Sequence, residues 1–326
     1  MTLSNLPPLV TIFGGSGFVG RHVVRALAKR GYRIRVAVRR PDLAGHLQPL
    51  GNVGQISFIQ ANLRYRKSVD RAVEGADHVI NCVGVLFESG RNTFDAIQDF
   101  GARAVAEAAR AAGATLTHIS AIGADAKSES SYARTKGRAE AAILETLPDA
   151  IILRPSIIFG PEDGFFNKFA EMARLSPVLP LVGGGHTKFQ PVYVTDVAEA
   201  VARAVDGKIE KGKIYELGGP QILSFRDCLE LMLKTIDRKR HLVSIPFGIA
   251  SLLGSVASLV PFITPPLTAD QVVLLKSDNV VSAQAEAEGR TLAGIGIKPT
   301  MLDSILPSYL VRYRPHGQYT RGGRAA

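Results

Sequence analysis

Two groups of residues in the first half of this chain have types and spacings suited to chemistry. The first is Gly14-Gly15-Ser16-Gly17-Phe18-Val19-Gly20, with Gly14, Gly17 and Gly20 three apart. Glycines in that pattern let a backbone turn sharply and come close to an anion. A helix that begins there adds unpaired N–H groups and the positive end of its dipole. Pyrophosphate is the anion such a turn takes when it follows a strand and opens a helix. The apolar run Leu9 to Phe13 before it and the helical pattern from Arg21 meet both conditions. The second group is Tyr132 and Lys136, on one helix face at i and i+4, with Ser120 upstream. A nearby ammonium favours a phenolate, which predicts that Tyr132 titrates below its ordinary pKa of about 10. Tyr132 then moves a proton, Lys136 tunes it, and Ser120 donates to a carbonyl oxygen. The same pattern also fits a lysine that only holds a ribose, with no reaction following.

The second strand says which dinucleotide. NAD sites commonly carry an acidic residue there, on the ribose hydroxyls. In this chain Arg35 to Val38 runs into Arg39-Arg40, and the first acidic residue anywhere is Asp42. Two guanidiniums with no acid competing predict a clamp for a 2′-phosphate, hence NADPH. The alternative is a pair of solvated arginines. Asn62-Leu63, after the third strand, falls where adenine contacts arise in this fold. Val83-Gly84, after the fourth, can pass close to the adenosine ribose.

These residues need a scaffold, and the pattern supplies one. Apolar runs at Leu9–Phe13, Ile34–Val38, Ile56–Ile59, His78–Val83, Leu116–Ile119 and Ala150–Leu153 read as strands, mostly with helical patterns between them. The helix predicted over Thr93–Ala112 stops at Gly113. Strands alternating with helices imply a parallel sheet covered on both faces. The fold class expected is α/β, a Rossmann-type doubly wound parallel sheet with a smaller C-terminal lobe. After Gly160, prolines and the run Gly183-Gly184-Gly185 mark a loop-rich insert. Val192-Tyr193-Val194 and Lys213–Leu217 read as further strands, with a helix Val197–Val205 capped by Thr195 or Asp196 between them. Ser224 and Asp227 open another helix as a capping box. The division expected is 8–159 with 188–218 for the dinucleotide domain, 160–187 with 219–300 for the lobe, and 301–326 for a basic tail.

Composition narrows the class. At 326 residues and 46% hydrophobic, the chain is long enough for a large α/β domain and a smaller lobe. Its two cysteines, Cys82 and Cys228, make neither a disulfide framework nor a metal cluster, and both lie in apolar patterns as buried thiols do. The net charge of +10 calls for a partner. Basic residues do not gather on one helix with aromatics between them, which argues against nucleic acid. An anionic membrane surface or an acidic protein neighbour fits better. Arg312, Arg314, Arg321 and Arg324 place part of the excess near the end, as a docking tail or a solvated one. No charged residue occurs from Leu242 to Ala269, but Pro246, Pro261, Pro265 and Pro266 leave only Phe247–Val260 uninterrupted, too short to span a bilayer. That stretch reads as a buried helix or as one lying against a membrane or membrane protein. The opening residues carry no secretory signal or Arg-rich presequence pattern.

Taken together, these residues resemble the extended and atypical short-chain dehydrogenase/reductases. Arg154-Pro155-Ser156-Ile157-Ile158-Phe159-Gly160-Pro161-Glu162-Asp163, then Phe165-Phe166-Asn167-Lys168-Phe169, and Gln190-Pro191-Val192-Tyr193-Val194-Thr195-Asp196-Val197 are similar to one branch, the NADPH-binding accessory subunits of respiratory complex I. The resemblance runs over nearly the whole chain, least in the tail. It implies one tightly held NADPH, no established turnover, and a place on the peripheral arm near the membrane and the quinone site. Cofactor contacts are then implied at Gly14, Ser16, Gly17, Phe18, Val19, Arg39, Arg40, Asn62, Leu63, Val83, Tyr132, Lys136, Pro155 and Ile158, with Phe166 beyond the nicotinamide end, at a substrate pocket. Ser120, Tyr132 and Lys136 become a vestigial catalytic set, with no metal. Implied partners are other complex I subunits and the membrane surface or membrane-arm subunits, with no nucleic acid and no homo-oligomer. The implied location is peripheral, on the cytoplasmic side of a bacterial inner membrane or, for a mature eukaryotic form, the matrix side of the mitochondrial one. Ser120 and Tyr132 stand closer in sequence than in active extended enzymes, which puts serine placement and catalysis in doubt. The other function compatible with the residues is a free NADPH-dependent reductase or epimerase-like enzyme using Tyr132 and Lys136.

Overall fold

A computed structural model describes residues 6–258 and 268–316 of the chain. Its central element is a seven-stranded sheet in the order β11-β6-β5-β4-β1-β2-β3. The strands are β1 (Leu9–Phe13), β2 (Arg33–Val38), β3 (Ile56–Gln60), β4 (His78–Asn81), β5 (Thr115–Ile119), β6 (Ile151–Pro155) and β11 (Ile214–Leu217). All of their pairings are parallel. Strand order reverses between β1 and β4, where Phe13 lies beside both Ala37 and Asn81. A doubly wound sheet opens its ligand crevice at the carboxyl ends of such a pair. Every residue of β1 is buried, as a strand covered on both faces requires. Full burial of each such Val, Ile or Phe contributes about 1.5–3 kcal/mol.

Helices α1 (Phe18–Ala28), α2 (Arg66–Val73), α3 (Phe100–Ala111), α4 (Ser131–Thr146) and α6 (Val194–Val205) belong with this sheet. The helix expected over Thr93–Ala112 is broken by a π-helical turn, Asp95–Asp99, before α3 begins. Gly113, at φ +66°, ends it as expected. Ser130 caps α4 by accepting the Ala133 N–H at 3.2 Å. Helix α6 starts at Val194, ahead of the caps that the sequence proposed.

The chain forms two compact units. The first takes the chain to Pro155, then Val194–Leu217 and Val281–Lys298; the second takes Ser156–Tyr193, Gly218–Val280 and the described residues from Pro299 on. Residues 281–298 were expected in the lobe. They join the first unit because they complete its sheet edge. Glu216 accepts the Ser282 N–H at 2.7 Å and its own N–H donates to the Arg290 carbonyl at 2.9 Å.

Among its described residues the second unit contains three short pairs: β7 (Ile158–Phe159) with β10 (Val192–Tyr193), β9 (Lys188–Phe189) with β12 (Leu223–Ser224), and β8 (Val178–Val182) with β13 (His241–Ile245). Helices α5 (Phe166–Leu175) and α7 (Phe225–Thr235) pack around Phe159, Phe166, Phe189 and Phe225. Ser224 and Asp227 form the expected capping box. Residues 301–316 are no tail. The helix Leu302–Leu310 buries Leu306 and Leu310 completely, and the Tyr309 hydroxyl donates to Asp163 Oδ2 at 2.5 Å. Arg312 donates to Asn167 and Arg314 to the Thr235 carbonyl. Arg321 and Arg324 lie outside the described residues. So do Pro261, Pro265 and Pro266 of the uncharged stretch, whose helix α8 (Phe247–Ser258) exposes Ile249 and Leu252. Among the described residues no helix is long and apolar enough to cross a membrane.

Candidate dinucleotide-binding site

Gly14 ends β1 in the left-handed region, φ +75°, with its N–H on the Ala37 carbonyl at 3.1 Å. Its own carbonyl accepts the Gly17 N–H at 3.0 Å, closing the turn. A Cβ on Gly20 would stand 2.2 Å from that carbonyl oxygen and 2.6 Å from the Gly15 Cα. The third glycine therefore lets α1 press directly against the turn. Gly17 is the N-cap of α1 and supplies no capping side chain, and the first turn carries no acid. The free N–H groups and positive dipole end at this point suit an anion.

The turn forms one wall of a cavity of about 610 Å³. Gly14, Ser16 and Gly17 line it, with Arg39 and Arg40 from the end of β2, Asn62 and Leu63 from the end of β3, and Val83 from the end of β4. These are residues the sequence pointed to. Phe18 and Val19 open α1 behind the turn. Pro155 ends β6, where its carbonyl accepts the Ile122 N–H at 3.0 Å, and Ile158 belongs to the second unit. Leu43, Cys82, Val85, Asn92 and Ile97 also line the cavity and were not foreseen as contacts. The signal for Val85 and Asn92 was available, since the loop after β4 lies at the reversal of strand order.

The two arginines differ. Arg39 Nη1 reaches Asn92 Oδ1 at 3.5 Å across the cavity wall. Arg40 is engaged by Asp42, with Nη2 to Oδ2 at 2.7 Å and Nε to Oδ1 at 3.0 Å. That hydrogen bond holds the Asp42 carboxyl below the usual range. The expectation of a turn without a competing acid is corrected here. A short 3-10 turn, Pro41–Leu43, swings Asp42 back onto Arg40.

Lys136 is 3% exposed, and its amine donates to the Ile119 carbonyl at 2.9 Å. Burial pulls it down to about 8, against the pull of Glu140. It reaches the cavity wall: a Cβ added to Gly84 would lie 3.6 Å from its Nζ. Ser120 follows β5, is 4% exposed, and its hydroxyl has no protein partner. Tyr132 packs edge-on against Phe94, ring centres 5.8 Å apart. Desolvation pushes its phenol up to about 12, the reverse of the acidity expected from a neighbouring ammonium. Burial also raises the Cys82 and Cys228 thiols to about 12. Phe166, expected beside a substrate pocket, is fully buried between Phe159 and Phe165 in the second unit's core.

The glycine cradle and the arginines at the β2 end fit an anionic nicotinamide dinucleotide. Comparison with known proteins agrees. Residues 10–218 match the NAD dependent epimerase/dehydratase family. Over 320 residues the chain is 34% identical to NADH dehydrogenase [ubiquinone] 1 alpha subcomplex subunit 9, mitochondrial, of Arabidopsis thaliana, covering 95% of this chain and 79% of that protein. It is 36% identical over 197 residues to the ceramide reductase of Caulobacter vibrioides, 60% of each chain. Among solved structures, the NADPH-dependent quinone oxidoreductase of Escherichia coli, complexed with NADPH, superposes with a TM-score of 0.71 at 21% identity, over 93% of this chain and 99% of that one.

Proposed function

The chain belongs to the NAD dependent epimerase/dehydratase family, and we propose that within it the protein is an accessory subunit of a respiratory NADH:ubiquinone oxidoreductase that holds NADPH without turning it over. The observation that carries this reading is likeness over 95% of the chain to a subunit of that complex. The pyrophosphate would sit on the glycine turn and the N-terminus of α1, and the 2′-phosphate on Arg39. Asn62, Leu63 and Val83 would line the adenosine, and Lys136 would hold the nicotinamide ribose. Bound NADPH supplies hydride chemistry in principle, but here it serves as a staple. A ligand that binds only the folded state at 1,000 times its Kd stabilises that state by about 4.1 kcal/mol. The net charge of +10 and the exposed Ile249 and Leu252 support a peripheral place at the membrane among other subunits of the complex.

Native mass spectrometry of the protein purified from its own membranes tests this. The expected result is this chain with one NADPH, released together with other subunits of the complex. A respiratory complex that assembles and works normally without the chain would sink the reading.

A second reading has support of its own. Ser120, Tyr132 and Lys136 are all present, the Ser120 hydroxyl is buried without a partner, and one relative is a reductase. The protein would then reduce a carbonyl substrate, with Ser120 donating to the carbonyl oxygen and Tyr132 delivering the proton. Tyr132→Phe should then abolish NADPH oxidation by that substrate while NADPH still binds. Absence of turnover across carbonyl lipids and sugar nucleotides removes this alternative.

A further inference from the structure

The face of α4 that carries Tyr132 and Lys136 continues into buried charge. Glu140, at i+4 from the lysine, is 3% exposed. Its carboxylate accepts Arg154 Nε at 2.9 Å and Nη2 at 2.5 Å. Arg154, on β6, also faces Glu216 of β11 at 3.6 Å. Glu216 in turn accepts the Ser282 N–H at 2.7 Å. Lys136, Glu140, Arg154 and Glu216 thus alternate in sign from the cavity wall to the segment that closes the sheet edge. Buried charges cost stability unless each is paired and hydrogen-bonded. The Tyr-x-x-x-Lys pattern stops at Lys136 and gives no reason for the rest of the line.

We propose that Glu140 is a positioning residue for Lys136: its carboxylate, anchored by Arg154 and Glu216, keeps the lysine amine charged and aimed at the Ile119 carbonyl and the cavity wall at Gly84. The proposal rests on the reading that Lys136 holds the nicotinamide ribose. The titratable groups coupled to the amine are Glu140 on its own helix, Cys82 just after β4 and His118 of β5, and Tyr132 stands one turn before it on α4. The thiol and the phenol are held neutral by burial. His118 is driven well below its ordinary value by burial and then by Lys136 itself, so it too is neutral. Glu140 is left as the charged group that opposes the desolvation of the amine. Its own geometry is over-determined, since both of its oxygens are taken by one guanidinium.

The experiment is the pH profile of NADPH affinity, by nucleotide fluorescence on the full chain from about pH 6.5 to 10, a range set above the phosphate titration near 6. Wild type should weaken as pH passes about 8. Glu140→Gln should begin to weaken at least about one pH unit lower, and Glu140→Asp should return to the wild-type profile. Lys136→Met should bind weakly throughout, with no inflection. Should Glu140→Gln fail to fold with Arg154 left unpaired, the double variant Glu140→Gln, Arg154→Gln removes both charges and should show the same downward displacement. An unchanged midpoint in a folded neutral variant overturns the proposal. If neither neutral variant folds, the line is a folding device and the proposal falls. Wild-type affinity in Lys136→Met overturns instead the reading of Lys136 as a nucleotide contact.

Discussion

The Thr135 hydroxyl donates to Gln98 Oε1 at 3.0 Å, and Gln98 Nε2 donates to the Val85 carbonyl at 2.7 Å. Gln98, 1% exposed, lies in the π-turn, and Thr135 directly precedes Lys136. One side chain therefore ties the cavity-lining loop after β4 to the helix that carries the lysine. Wide helical turns of this kind recur at functional sites.

Gln98→Leu leaves the half-buried Val85 carbonyl without its donor. The expected cost is about 1–3 kcal/mol of stability, with NADPH affinity down roughly tenfold, the equivalent of about 1.4 kcal/mol. Urea unfolding and fluorescence titration measure the two. Wild-type values in both would mean that the tie does not shape the site.

Arg39 and Arg40 should separate. Arg39→Ala should weaken NADPH by roughly tenfold or more and leave NADH nearly unchanged, as the loss of a charge-assisted contact of about 1.5–3 kcal/mol requires. Arg40→Ala should do less, because Asp42 already engages that guanidinium. Asp42→Asn, by releasing Arg40, should raise the preference for NADPH over NADH. Equal effects of both arginine variants on both nucleotides would show that neither reads the 2′-phosphate.

Gly20→Ala puts a methyl 2.2 Å from the Gly14 carbonyl oxygen, where backbone has to move. Overpacking of this kind costs about 1–3 kcal/mol, and the turn that opens should also lose the nucleotide. Thermal unfolding with and without NADPH follows both losses. A variant that unfolds like wild type and is still stabilised by NADPH would refute the close-approach argument.

Acid should weaken the fold through His118. Burial, and then the charge of Lys136, hold its folded-state pKa well below 6.5. The unfolded chain therefore takes up a proton that the native state refuses. Stability from this group is whole above pH 6.5 and falls as pH drops below it, by up to about 1.4 kcal/mol per unit. Urea unfolding at pH 8, 6.5 and 5.5 should show His118→Leu losing less than wild type over the last interval. Parallel losses would mean that His118 is protonated in the native state.

The sequence by itself determined the frame. Leu9–Phe13, the glycine turn and the arginines after β2 are local patterns, and their chemistry is read from neighbours along the chain. The apolar run Leu9–Phe13 ahead of the glycine turn reads as a strand covered on both faces, and Gly20 can only be glycine where α1 meets the turn. Asn62, Leu63 and Val83 were expected from their places after the third and fourth strands of such a fold, and they line the cavity. Tertiary structure decided the rest, because burial and long-range pairing are not local. Lys136 was expected to acidify Tyr132, but desolvation dominates and raises it. Asp42 was expected to leave the arginines alone, but one short turn brings it onto Arg40. Phe166 was placed at a pocket, and packing takes it into the core. Residues 281–298 were given to the lobe, and hydrogen bonds to Glu216 and Ile214 return them to the sheet edge. The line from Lys136 to Glu216 is set out along the chain as separate charges on a helix and two strands. Only the folded sheet, by burying Lys136, Glu140 and Glu216 around a half-buried Arg154, brings the four together.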